Sequence, residues 1–506
     1  MDPAENRSAA LAVEDLTVTY PNGHQALCGV SLVIGYDARL GVVGGSGSGK
    51  TTLLRAIMGL LPPSSSVECP VVVDGTDLLA LAERERRRLY GQTIGFVAQD
   101  PFAACDPLRR VRHHIEEPWL AHAMKVPAGR VVAGLATMGI EDPAERSRQW
   151  PHEWSGGMLQ RATVLAATAH APLVTLADEP TSALDTELAD DALDLLYRTC
   201  SALLLVTHDL ALASRHTDDV VVLDAGRIVE RGRSDVVLSE PTHETTRRLI
   251  RAAVPLRRAP GGEPRDRPVI LRAEGVSKSY RARGGRTVDA VQPTSLDVRS
   301  GEVIGIVGRS GSGKSTMLRL LAGIERPDSG SVMAGDDSIW GPTGPVRMPR
   351  RGFAMPVLQD PVASLDQRWP LWRTLTEPLV IARGRMSRLQ RRRIGSEQLA
   401  SLGLHDIDVE RLPSSLSVGQ CQRVAILRAL IADPALVVAD EPTASLDVEA
   451  AAAVSGLLRQ AADRGAAVIV VSHDEARLRS YADRIMQMVD GDLRDAEQVE
   501  VGEGVA

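Results

Sequence analysis

Cysteine is scarce and scattered: five residues, Cys28, Cys69, Cys105, Cys200 and Cys421, with no CxxC pair and no ligand-like spacing. That argues against a disulfide framework or a zinc or iron–sulfur site, and it fits a reducing compartment. No apolar run approaches the roughly 20 residues that a bilayer-crossing helix needs. The chain is therefore not expected to form a channel by itself, and any role at a membrane must come through partners. The first residues, MDPAENRSAALAVEDL, lack a basic stretch followed by an apolar core, so they do not read as a secretory signal. Positive charge is not in excess either. A formal charge of −7 gives no electrostatic reason to expect nucleic acid as a partner.

What the sequence does contain, it contains twice. The stretch GGSGSGKTT (44–52) returns as GRSGSGKST (308–316), with Lys314 following Lys50 by 264 residues. Later landmarks recur in the same order: AQDP and LQDP, WSGGM and LSVGQ, LADEPTSALD and VADEPTASLD, VTHD and VSHD. A chain of 506 residues exceeds what one core usually supports, and the repeat divides it into a first domain over 1–254 and a second over 269–506. The joint between them, residues 255–268, is rich in Pro, Gly and Arg with no apolar period, as a solvated linker would be. Short Val/Ile/Leu runs such as 40–44, 173–178 and 203–208 read as buried parallel strands alternating with helices, which predicts an α/β fold.

The repeated stretch is a phosphate cradle. Its glycines let several backbone N–H groups face one anion at a helix N-terminus, where the dipole favours negative charge. In the first copy the cradle is Gly44, Gly45, Ser46, Gly47, Ser48, Gly49, Lys50, Thr51 and Thr52. In the second it is Gly308, Arg309, Ser310, Gly311, Ser312, Gly313, Lys314, Ser315 and Thr316. Lys50 and Lys314 would reach the β/γ-phosphates of ATP, and the Thr51 and Ser315 hydroxyls would hold Mg²⁺. One such match could be a Gly/Ser turn after a strand; two, each between a strand and a helix, argue for the cradle. The carboxylate pairs Asp178-Glu179 and Asp440-Glu441 end apolar runs, where ligands bind in open α/β sheets. Each aspartate suits Mg²⁺, and each glutamate is placed to polarise the attacking water.

These residues together resemble the nucleotide-binding domains of ABC transporters over nearly the whole chain. Ser155-Gly156-Gly157, and Ser417 and Gly419 within Ser417-Val418-Gly419-Gln420, match the signature that generic P-loop enzymes lack. The resemblance implies two P-loop NTPase domains, each with a RecA-like core and a helical subdomain, pairing head to tail so that one signature closes over ATP in the other cradle. It implies that Tyr20 and Tyr280 stack on adenine and that Gln99 and Gln359 contact Mg²⁺ or water. It also implies that His208 and His473 orient the γ-phosphate, and that Asp185 and Asp447 couple the two sites.

Val418 departs from the family pattern, which has glycine there. Its β-branch adds bulk and restricts backbone angles where phosphate approaches, so unequal sites are expected, the one around Lys314 and Ser155 being the more competent. Within the family, PHEWSGGMLQR (151–161) and PTHETTRRLIRAAVP (241–255) resemble ATPases of dipeptide, oligopeptide and nickel importers. That resemblance implies ATP hydrolysis driving uptake at the cytoplasmic face of the cell membrane, through two permease subunits and an extracytoplasmic solute-binding protein. A nickel or metal-chelate importer ATPase is the alternative within the family. A soluble tandem ATPase acting on ribosomes is the alternative outside transport, and the short Pro/Gly-rich joint counts against it.

Overall fold

The computed structural model describes residues 9–181, 186–253, 267–281, 287–309, 311–335, 337–341, 348–402, 404–444 and 446–496. The chain divides into two compact units, Met1–Ala253 and Val254–Ala506. Most of the expected linker, with Asp185 and Ser310, lies outside the described residues.

In the first unit a six-stranded sheet runs in the order Arg227–Arg233, Asp219–Asp224, Arg39–Val43, Ala202–Val206, Val174–Asp178, Ile94–Val97. The outermost strand Arg227–Arg233 is antiparallel to its neighbour, and the remaining pairs are parallel. Strands Val174–Asp178 and Ala202–Val206 are buried at every position, which is why they read as unbroken apolar runs rather than alternating ones. A second, antiparallel sheet is built around Ala9–Thr19 and Gln25–Gly35. Helix Lys50–Ile57 lies between the two sheets: its Leu53, Leu54 and Ile57 pack with Leu11 and Leu27 of one and Val42 and Leu204 of the other. Truncating Leu53 to alanine there would cost about 2–5 kcal/mol.

The opposite face of the parallel sheet carries helices Val111–Ala121, Arg130–Thr137 and Gly156–Ala167, joined to it through Leu159, Ala162, Val164, Leu203 and Leu205. This layer is the helical subdomain.

The second unit repeats the plan. Its six-stranded sheet runs Ala354–Val357, Leu436–Asp440, Ala467–Val471, Val303–Val307, Arg484–Val489, Asp492–Asp495, and its antiparallel sheet is built around Val269–Arg281 and Thr287–Arg299. Its helices Leu371–Arg383, Arg388–Ser401 and Val418–Leu430 enclose a small core of Leu371, Leu375, Leu399, Cys421 and Val424. The expected α/β architecture is therefore present in both halves. No helix among the described residues is long and apolar enough to cross a membrane.

Candidate functional site

Each cradle sits where a central strand, Arg39–Val43 or Val303–Val307, turns into a helix that starts at the lysine. The turn needs glycine for a steric reason. At Gly44 an added Cβ would stand 2.2 Å from Leu223 O, and at Gly308 it would stand 2.3 Å from Met488 O. Gly49 and Gly313 take left-handed φ values of 108° and 105° immediately before the helix, a conformation that glycine adopts at no cost. Lys50 Nζ donates to Gly44 O and Gly45 O at 2.7 and 2.9 Å. Lys314 Nζ donates to Gly308 O and Arg309 O at 2.6 and 2.7 Å. Each ammonium is thus held inside its own loop.

The carboxylates arrive from the neighbouring strand ends. Asp178 is buried, and burial followed by the charge of Glu179 pushes it up to about 6, against the pull of Thr51 and Lys50. Burial likewise raises Asp440, beside Ser315. Glu179 and Glu441 adopt left-handed backbone conformations, φ 46° and 49°, uncommon for residues with a side chain. Their N–H groups bond across the sheet to Val206 O and Val471 O at 2.8 and 2.9 Å, which holds the strained turn in place.

Each glutamate meets a histidine. His208 Nδ1 lies 3.2 Å from Glu179 Oε1, and His473 Nδ1 lies 2.9 Å from Glu441 Oε2. Burial works to lower His208, but the Glu179 carboxylate outweighs it, so the imidazole titrates above its ordinary value. For His473 the bond to Glu441 is the leading cause of the same rise. Burial pushes Glu179 up, yet bonds from His208 and Gln99 and the charge of Lys50 leave it lowered. Asp209 and Asp474 cap the helices that follow the histidines, Asp209 Oδ1 accepting from Ala211 N and Leu212 N at 2.8 and 2.9 Å. The Asp after each His is the sequence signal for those caps.

The glutamines differ between units. Gln99 Nε2 donates to Glu179 Oε2 at 2.8 Å, whereas Gln359 is exposed and no hydrogen bond joins it to Glu441 among the described residues. The tyrosines differ too. Each hydroxyl reaches its cradle threonine, Tyr20 OH meeting Thr52 Oγ1 at 3.0 Å and Tyr280 OH meeting Thr316, but Tyr280 OH also donates to Glu325. Nothing in the local pattern of the sequence points to Glu325.

Ser155 and Ser417 cap the signature helices, accepting from Met158 N and Gln420 N, both at 3.3 Å. Gln420 Oε1 also accepts from Ser417 N at 3.0 Å, and Met158 has no oxygen to do the same. Val418 is the first residue of its helix and 49% exposed. Gly156, its counterpart, is not among the positive-φ glycines. The expected restriction of backbone angles therefore does not apply, because a helical φ suits valine. What remains of the argument is the side chain's bulk. Asp447 caps helix Val448–Asp463, accepting from Ala450 N at 2.7 Å.

The donor set suits a magnesium nucleotide. Among the described residues, Ser48 Oγ, Ser312 Oγ and Asp440 Oδ1 are buried without hydrogen-bond partners, and a buried polar group is stable there only if something else satisfies it. Hydroxyl and carboxylate oxygens are the hard donors that Mg²⁺ prefers.

Comparison with known proteins shows the family. A family model described as ABC transporter matches twice, over residues 27–182 and 291–444. The peptidoglycan transport ATP-binding protein YejF of Agrobacterium fabrum is 32% identical over 96% of this chain and 92% of its own length. The oligopeptide transport ATP-binding protein OppD of Mycobacterium bovis is 32% identical over 97% of this chain and 96% of its own. Among solved structures, an archaeal ribosome recycling factor in complex with a ribosomal stalk protein superposes with a TM-score of 0.65 at 21% identity, over 97% of this chain and 91% of that one. At that identity the likeness shows the fold alone.

Proposed function

The chain belongs to the ABC transporter family and is an ATPase that uses ATP with Mg²⁺, and from that premise we propose that it is the energy-supplying subunit of a peptide importer. The observation that carries the proposal is the near full-length match to tandem transport ATPases whose names specify peptidoglycan and oligopeptide transport. Two membrane permease subunits and a solute-binding protein complete the assembly in this proposal, with the ATPase on the cytoplasmic face of the membrane.

Chemistry at each site is positioning and charge stabilisation around phosphoryl transfer to water. Lys50 and Lys314 leave their loop carbonyls for the β/γ-phosphates. Thr51, Gln99 and Asp178 in the first site, and Ser315, Gln359 and Asp440 in the second, would hold Mg²⁺, which neutralises phosphate charge. Glu179 and Glu441 accept the proton of the attacking water, and His208 and His473 fix those carboxylates and orient the γ-phosphate. In the pairing that the family resemblance implies, the signature serine and glycines of each half, Ser155 with Gly156 and Gly157, and Ser417 with Gly419, would complete the cradle of the other half. Asp185 and Asp447 couple the two sites. In this scheme Val418 adds bulk at the site around Lys50, leaving the site around Lys314 the faster.

Reconstitution tests the proposal. The chain should co-purify with two integral membrane subunits, and its ATPase activity in proteoliposomes should rise when a peptide-loaded binding protein is added. Recovery with ribosomes instead would reject transport.

A further inference from the structure

Tyr280 has a carboxylate partner that Tyr20 lacks. Its hydroxyl donates to Glu325 Oε1 at 2.5 Å. The same carboxylate lies 3.8 Å from Lys278 Nζ and 3.6 Å from Arg319 Nη1, so its charge is balanced locally. Glu325 is itself anchored: its N–H bonds Arg319 O at 3.1 Å, and its carbonyl accepts from Trp340 Nε1. Arg319 belongs to helix Lys314–Leu321, the one that begins at the cradle lysine. Lys278 Nζ stands 5.8 Å from the Tyr280 ring centroid, yet the residue keeps 38% of its surface exposed. In the first unit the position equivalent to Glu325, counted from the cradle lysine, is Leu61. The Tyr20 hydroxyl meets Thr52 and, among the described residues, no carboxylate.

We propose that Glu325 is a positioning residue of the second site, locking the Tyr280 ring as a prebuilt stacking surface for the nucleotide base, a device the first site lacks. A ring already fixed loses little rotamer freedom when the base arrives, so less of the stacking energy is consumed in ordering it. This rests on the assignment of Tyr280 as a base-stacking residue, and the experiment separates the two claims.

The full-length chain carrying Lys50→Ala, which silences the first cradle, is titrated calorimetrically with Mg²⁺–ATP and with Mg²⁺–tripolyphosphate, which has no base. Glu325→Leu should weaken ATP binding about threefold to tenfold, the worth of one partly exposed hydrogen bond to a charged group. Tripolyphosphate binding should not change. Glu325→Gln, whose amide oxygen still accepts from the tyrosine, should bind ATP like the parent. If Tyr280→Ala weakens ATP binding while Glu325→Leu does not, or if Glu325→Leu weakens tripolyphosphate equally, the proposal fails. If Tyr280→Ala leaves ATP binding unchanged, the base-stacking assignment fails and the proposal falls with it.

Discussion

Glu441 Oε2 lies 2.9 Å from His473 Nδ1 at the end of a strand whose last peptide turns left-handed, and Glu179 meets His208 in the same way at 3.2 Å. A carboxylate so placed cannot rotate away without losing its histidine. Replacing Glu179 or Glu441 with glutamine should therefore slow hydrolysis at that site by about 10²–10⁴-fold, the usual worth of general base catalysis, while ATP stays bound. Single-turnover hydrolysis and retention of ATP on gel filtration check both halves of the statement.

The pair also sets a pH dependence. A histidine raised in the folded state stabilises the fold fully below its ordinary value of about 6.5, and that contribution is lost as pH rises through the higher folded value. The thermal midpoint of the parent should exceed that of Glu441→Gln most below pH 6.5, with the gap closing toward alkaline pH. A gap independent of pH would contradict the assignment.

The proposed inequality of the two sites gives a kinetic expectation. If Val418 burdens the site around Lys50, Lys314→Ala should remove more of the total turnover than Lys50→Ala. Val418→Gly should then raise the activity that remains in Lys314→Ala. Equal losses from the two lysine variants would leave Val418 without effect.

A latch closes the end of the first unit. Glu230 accepts bonds from Thr242 N, Thr242 Oγ1 and His243 N at 2.7, 2.7 and 3.0 Å, and another from Thr246 Oγ1. Burial alone would raise its pKa, but these bonds hold it at about 2. Because the folded value is depressed, the latch stabilises the fold above the ordinary carboxylate range near 4.5 and is lost as pH falls toward 2. Glu230→Gln should lower the amide protection factors in helix Glu244–Ala253 at neutral pH, and acidifying the parent below pH 3 should lower its protection factors, corrected for the intrinsic rate at each pH, in the same helix.

Thiol chemistry separates two of the cysteines. Cys105 is buried and pushed up to about 11, first by burial and then by Glu117 and Asp100, so little thiolate exists at neutral pH. Cys69 is exposed. Maleimide at pH 7 should label Cys69 within minutes and leave Cys105 unlabelled in the folded protein, as peptide mass mapping would show.

Much of this was legible in the linear order of residues. The repeat, the glycine cradles, the strands ending in Asp-Glu and the serine-headed signature helices all depend on neighbours along the chain: a strand's burial, a turn's need for glycine, a cap's reach of three residues. Glu325 left no such mark, because it lies 45 residues from Tyr280 and meets it only when the antiparallel sheet packs beside the cradle helix. The left-handed φ of Glu179 and Glu441 was equally hidden, since glutamate has no preference for it and the cross-sheet bonds to Val206 and Val471 impose it. The presence of two phosphate cradles and their carboxylates thus belongs to the sequence, which encodes local geometry. Differences between the two sites, such as the Gln99–Glu179 and Tyr280–Glu325 bonds, were decided by tertiary packing, because those contacts join segments that only the folded sheets bring within hydrogen-bond reach.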